Sequence, residues 1–256
     1  MIRLLVTTVL MATLLLTGAA PGSADQERLF RLGYLDNLGS ALCRIAQLKG
    51  HFAQEGLKVA LVRFGDSQGG LAALEQGNID AGAFLVGEGL RAIAQGRGFR
   101  FVAGGGLLTA TGPLAELDSR VQQQLDLSGT VVFIPATGPA TEKETVTRLT
   151  AALIRAYGSS RQQPDILPLG QSGADQPITR FDPSPEYYRL ERLWKRLALQ
   201  SPAMPADFLA NHVYEEIYCD ALDRLLEDSP DDKLLQELSA RAVCVPDCCP
   251  KNKNPK

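Results

Sequence analysis

An α/β fold with a wound, mostly parallel sheet is predicted by three observations on this chain of 256 residues. Short apolar runs alternate with helix-period segments from Arg31 to Gly105. Gly, Ser, Asn or Asp follows each run before the next helix begins. The alternation recurs at a pitch that calls for right-handed βαβ crossovers. Loops that follow such strands open on one edge of the sheet, where helix N-termini offer free N–H groups. That edge is a small-molecule site by architecture.

The elements follow in order. Leu32–Leu35 reads as the first buried strand, with Asp36-Asn37-Leu38-Gly39-Ser40 as its turn. Ser40 is placed to cap a helix over Ala41–Phe52, whose Leu42, Ile45, Ala46 and Leu48 fall at helical spacing. Val59–Phe64 is the second strand, and Gly65-Asp66-Ser67-Gln68-Gly69-Gly70 turns into a helix over Leu71–Gln76. Ala81–Leu85 is the third strand, and Gly87-Glu88-Gly89 turns into a helix over Leu90–Ala94. Phe101–Ala103 is the fourth strand and runs into three glycines.

Beyond Leu107 the pattern loosens. Val121–Leu127 reads as a short helix, Thr130–Ile134 as a β-branched strand ended by Pro135, and Glu142–Tyr157 as an amphipathic helix. Ile166–Leu169 is a further strand candidate, and Gln171–Pro185 has a loop composition. The remainder is helical: Tyr187–Leu199, Ala206–Leu226 and Asp232–Val243, divided by prolines. Their stripes (Leu190, Leu193, Trp194 and Leu197, then Phe208, Leu209, Val213, Ile217 and Leu222) are core-facing patterns.

Composition narrows the class. Arg3, the apolar run Leu4–Leu16 and the small residues Gly22-Ser23-Ala24 make residues 1–24 a signal peptide, with the mature chain starting at Asp25. No later stretch is long and apolar enough to span a bilayer. The expected protein is soluble and extracytoplasmic (periplasmic, or otherwise exported). Loss of Arg3 takes the net charge from -3 to -4, too near neutral and too evenly mixed for a nucleic-acid surface. The five cysteines comprise Cys43, Cys219 and a terminal group, Cys244, Cys248 and Cys249. In an oxidising compartment the last four are disulfide candidates that would fasten the tail. Three thiols within six residues also suit a soft metal ion, but the spacing is no zinc pattern and no His adjoins it. No metal or cofactor is assigned.

Four words in order carry a resemblance. RLGYLDN at Arg31–Asn37, LKGHFAQEGLKVALVRFG at Leu48–Gly65, LAALEQGNIDAG at Leu71–Gly82 and RFVAGG at Arg100–Gly105 resemble the substrate-binding proteins of nitrate/sulfonate/taurine-type ABC importers. The relatives that bind thiamine-pyrimidine precursors belong to the same group. DLSGTVVFIP at Asp126–Pro135 is similar to the word that opens that family's second lobe, and RLWKRLAL at Arg192–Leu199 to one in its terminal helices. The resemblance implies a periplasmic-binding-protein-like fold of two lobes closing on a ligand. Here the first lobe is complete and the second is shortened, because no further strand–helix units appear after Leu169. The implied organisation is a signal at 1–24, a first α/β lobe at 25–106 and a reduced second lobe with linker at 107–185. C-terminal helices at 186–245 pack on the lobes, and a Cys-containing polar tail follows at 246–256.

Carried onto this chain, the family's ligand contacts fall on Asp36, Asn37, Gly39 and Ser40, on Asp66, Ser67 and Gln68, and on Phe84, Val86, Gly87 and Glu88. Asp, Asn and Ser are also what turns and helix caps require, so a capping role stands beside the binding one. Inward-pointing Asp36, Asp66 and Glu88 would favour an amine-bearing ligand over a bare anion. His51 matches an aromatic position of the family word and is read as a packing residue. No nucleophile–base pair calls for a reaction. The expectation is a solute-binding protein, not an enzyme, that passes a small polar ligand to an ABC permease. The alternatives are a sensory or regulatory binding module on the same fold and a thiol-based metal-binding protein.

Overall fold

The computed structural model describes residues 28–109, 127–138, 142–163, 178–185, 187–198 and 211–242. Four strands, β1 (Phe30–Leu35), β2 (Val59–Phe64), β3 (Ala81–Leu85) and β4 (Phe99–Gly104), are joined by helices. These are α1 (Ala41–Leu48) with the short α2 (His51–Gln54), α3 (Ser67–Glu75) and α4 (Val86–Ala94). The helix expected over Ala41–Phe52 divides because Gly50 takes φ +71°, a left-handed conformation that ends α1 and caps α2.

β5 (Gly106–Thr109) pairs antiparallel with β7 (Ile178–Phe181) in a separate ribbon, so part of the stretch read as loop is a strand. The ribbon starts where Gly104 and Gly105 let backbone pass backbone. A Cβ on Gly104 would lie 2.2 Å from the Asp182 carbonyl oxygen, and the Gly104 N–H donates to Pro183 O at 2.9 Å.

The main sheet has the order β2-β1-β3-β6-β4, where β6 is Thr130–Pro135. β1 pairs parallel with β2 and β3, while β6 runs antiparallel between β3 and β4. Four of the five strands therefore point the same way. The crossover through α4 leaves a one-strand gap between β3 and β4, and β6 fills it. Its sequence suits a central position: Val131 and Phe133 enter one apolar cluster while Val132 and Ile134 enter the other, all buried. The resemblance places this segment at the opening of a second lobe. The pairing puts it in the sheet of the first, because its two apolar faces are covered only between helix layers.

Three layers result. On one face α1, α5 (Lys143–Gln162), α7 (Glu215–Asp228) and α8 (Lys233–Arg241) cover the sheet. On the other lie α3, α4 and α6 (Tyr187–Ala198), with Leu190, Leu193 and Trp194 buried. The terminal helices thus pack on both faces of one sheet. Glu55, 3% exposed at the end of α2, ties α5 to α7 within one of these layers: it accepts from Arg155 Nε at 2.7 Å and Arg224 Nε at 3.1 Å. The free edge of β4 is closed by a bridge from Phe101 to Val213, with Tyr214 N–H donating to Phe101 O at 2.8 Å.

Residues 1–24, Ile166–Leu169, Phe208, Leu209, Cys244, Cys248, Cys249 and nearly all of the short helix read at Val121–Leu127 lie outside the described residues. No helix among the described residues is long and apolar enough to cross a membrane.

Candidate functional site

The carboxyl ends of β1, β2 and β3 lie side by side, and a cleft of about 700 Å³ opens over them. Leu35 and Phe64 give it an apolar back wall, with Leu85 half-buried at one side. Asp36, Asn37, Gly65 and Asp66 come from the loops after β1 and β2, and Ser67, Gln68 and Glu88 from the first turns of α3 and α4. This is the edge on which wound sheets hold ligands, and α3 and α4 both begin there.

Of the residues assigned from sequence, Asp36, Asn37, Asp66, Ser67, Gln68 and Glu88 line this cleft together. The others do not. Phe84 is fully buried, Val86 is 1% exposed, and both belong to the apolar cluster beneath. Phe84 meets Phe64 edge-on with centroids 5.8 Å apart, so it forms the floor under the wall. Gly87 faces Leu127: a Cβ there would come within 3.0 Å of the Leu127 carbonyl oxygen. Gly39 lies against β6, where a Cβ would fall 2.0 Å from Thr130 Oγ1. Its lack of a side chain serves close packing rather than a ligand.

The two serines have similar structural duties. Asn37, not Ser40, caps the single 3-10 turn Leu38–Ser40, and its Oδ1 accepts from Ser40 N–H at 3.1 Å. Ser40, 1% exposed, accepts from Leu35 N–H at 3.3 Å and donates to Ala83 O at 3.2 Å, tying the end of β1 to β3. Ser67, 3% exposed, accepts from Leu85 N–H at 3.0 Å and fastens the start of α3 to the end of β3. Asp66 caps α3 by accepting from Gly69 N–H at 2.7 Å. Together these bonds fix the loops that shape the cleft.

Sequence reasoning missed Arg63. It is the one charged position in the otherwise apolar β2, two-thirds exposed, and its guanidinium reaches Asp36 at 3.1 Å. That polar interruption at a strand end was the available signal. Asp36 also meets Arg44 at 3.4 Å, and Glu88 pairs with Arg91 one helical turn on. The lining thus carries three carboxylates and one guanidinium, with two further arginines behind. The carboxylates are shared with arginines or a backbone N–H rather than left bare.

The remaining sequence candidates are structural. His51 bridges Gln54 Oε1 at 2.9 Å and Ser159 Oγ at 2.8 Å, joining α2 to α5. Cys43 is a free, buried thiol whose pKa burial pushes up to about 12, which keeps it protonated and inert. Cys219 is disulfide-bonded.

No family model and no curated protein matches the sequence. Solved structures do. The nitrate-binding protein of Synechocystis superposes with a TM-score of 0.56 at 12% identity, over 77% of this chain and 89% of its own. A ligand-binding component of an ABC-type import system from Staphylococcus aureus gives 0.54 at 14% identity, over 76% and 99%. A Candida albicans protein described as having the generic periplasmic binding protein fold gives 0.53 at 10% identity, over 73% and 96%. At such identities the likeness is one of fold. With the sheet order, the three layers and the cleft at the strand ends, it identifies the chain as having the periplasmic-binding-protein fold.

Proposed function

We propose that this protein captures a small polar solute at the strand-end cleft and delivers it to an ABC importer in an extracytoplasmic compartment. The observation that carries the reading is the convergence of two loops, at Asp36–Asn37 and Gly65–Asp66, and of the first turns of two helices, at Ser67–Gln68 and Glu88, on one cleft of ligand size. No step of chemistry is required of these residues. Arg63, Arg44 and Arg91 already balance the charge of Asp36 and Glu88, which leaves Asp66 as the carboxylate that supports an amine on the ligand, with Asn37 and Gln68 as hydrogen-bonding partners and Phe64 against its apolar part. Asp36, Asn37, Asp66, Gln68 and Glu88 are the proposed contacts, while Ser67 holds the loop in place.

A screen of melting temperature against amines, sulfonates and nitrate tests this. A ligand at one hundred times its Kd adds about 2.7 kcal/mol, a rise of roughly 5–10 °C for a chain of this size. Gln68→Ala and Asp36→Asn change exposed side chains, so they leave the unliganded melting point within about 1 °C and remove most of the rise. If no class of solute raises the melting point, or if both variants retain the full rise, the cleft is not the binding site.

One observation favours a second reading, a sensory or regulatory module. Among the described residues the cleft is walled by the loops of a single sheet, and β6 returns into that same sheet. A partner protein would then supply the opposite wall. Gene neighbours that encode a permease and an ATPase favour transport, whereas a sensor kinase favours this alternative.

A further inference from the structure

A second cleft, of about 350 Å³, lies between the last turns of α5 and α8 and strand β7, and its side chains are strongly basic. Arg161, Arg180 and Arg241 line it together with a single carboxylate, Glu237. Glu237 is already divided between two of them, at 3.4 Å from Arg161 Nη1 and 3.9 Å from Arg241 Nε. Two guanidinium charges are therefore left without a balancing carboxylate in the lining.

Two of the arginines have a local reason to be there. Arg161 and Arg241 occupy the last turns of their helices, where the helix dipole favours a cation. Arg161 also stands 5.9 Å over the ring of Tyr157, which limits the directions its planar fork can take. Arg180 has neither reason. It is exposed in the middle of a short strand, opposite Leu107, and its side chain has no ion-pair or hydrogen-bond partner among the described residues. A third guanidinium beside two that share one carboxylate is repulsive unless an anion sits between them.

We propose that this cleft binds a doubly charged tetrahedral oxyanion of the phosphate class, held by Arg180 and Arg241 with Arg161 behind them. Guanidinium forks match the oxygen spacing of such groups and form charge-assisted, bidentate hydrogen bonds. The excess of two positive charges matches the two negative charges of a phosphate monoester above its second pKa. The site is separate from the strand-end cleft, with which it shares no lining residue. It stands whether or not the solute-capture reading does.

Calorimetric titration of the full chain with inorganic phosphate at pH 8 and low salt tests the assignment. Vesicles containing phosphatidic acid, in a parallel arm, distinguish a dissolved anion from a lipid headgroup. Saturable binding with a Kd on the order of millimolar is expected for the wild type. Arg180→Gln should weaken it about tenfold, the weight of one charge-assisted hydrogen bond, without changing the melting point. The double variant Arg180→Gln/Arg241→Gln should abolish it. Arg97→Gln, which removes one charge from a surface pair with Glu75, should leave it unchanged. Binding of free phosphate alone assigns a dissolved ligand, and parallel loss on vesicles assigns a headgroup. Absence of binding in both arms, full affinity in Arg180→Gln, or an equal loss in Arg97→Gln would each overturn the proposal.

Discussion

Replacing Phe84 by Ala separates two roles for that ring, floor of the strand-end cleft or contact with its ligand. The ring is fully buried and meets Phe64 edge-on. It lies so close to Gly33, Gly70 and Gly82 that a Cβ on each would fall 2.9, 2.2 and 2.1 Å from a ring carbon. Three residues without side chains surround the ring, so those positions have no side chain to move into the space it would leave. Truncation of a buried Phe costs about 3–5 kcal/mol, and the lost edge-on pair puts this site in the upper half, about 4–5 kcal/mol. That is a large share of the roughly 5–15 kcal/mol by which a domain is stable, and lowers the melting point by roughly 10–15 °C. Urea unfolding is the assay. Trp194, the single tryptophan of the chain, is fully buried in the same apolar cluster and reports its loss by fluorescence. A loss below about 1 kcal/mol accompanied by weakened ligand binding would place the ring in the cleft and refute the assignment of a floor.

Further outcomes concern the bonds that hold the cleft and the helical layers. Ser67→Ala leaves the part-buried Leu85 N–H without its acceptor and should cost about 1–2 kcal/mol by chemical denaturation, with faster amide exchange at Leu85. Glu55→Gln should cost about 2–3 kcal/mol because two guanidinium groups lose a buried carboxylate, although both reach water. Glu144→Gln should cost less than 1 kcal/mol. A hydrogen bond from Arg148 lowers the Glu144 pKa, but the side chain is half exposed, and its small contribution is present above the ordinary value of 4.5 and fades as pH falls below it. Cys43 has its pKa raised in the folded state, so the folded chain keeps a proton that the unfolded chain releases. Stability should therefore fall as pH rises from 9.0 toward about 12, and the Cys43 peptide should resist thiol labelling at pH 8 until urea unfolds the chain.

Local pattern was enough for much of the sheet. β2 and β3 have the bounds that their apolar runs predict, and β1 and β4 each extend by two residues at the start, where Phe30 and Phe99 are buried. The direction and neighbours of β6 were not legible. An apolar run buried on both faces reads the same in either direction, and only the gap between β3 and β4 decides where it goes. β7 was hidden by the Gly- and Pro-rich stretch before it.

At the site, polar residues in the loops were found because turn chemistry and cleft lining call on the same types. Depth was what the sequence could not supply. Phe84 and Val86 flank Leu85, the last residue of β3, but the two-residue alternation turns Phe84 inward and the first turn of α4 carries Val86 under the sheet edge. Ser40 looked like a cap because it precedes a helix. Its hydroxyl instead reaches across to Ala83 O, a contact 43 residues distant in sequence.

The position of β6 midway along the sequence has a consequence for how the nascent chain matures. Until Thr130–Pro135 emerges, β3 and β4 each keep a naked edge, separated by the width of one absent ribbon. An N-terminal fragment that stops short of that segment cannot close its own hydrogen-bond ladder. It should stay loose and threadable, and vulnerable to pairing with foreign strands. Compaction is thereby postponed until just over half of the polypeptide has been made.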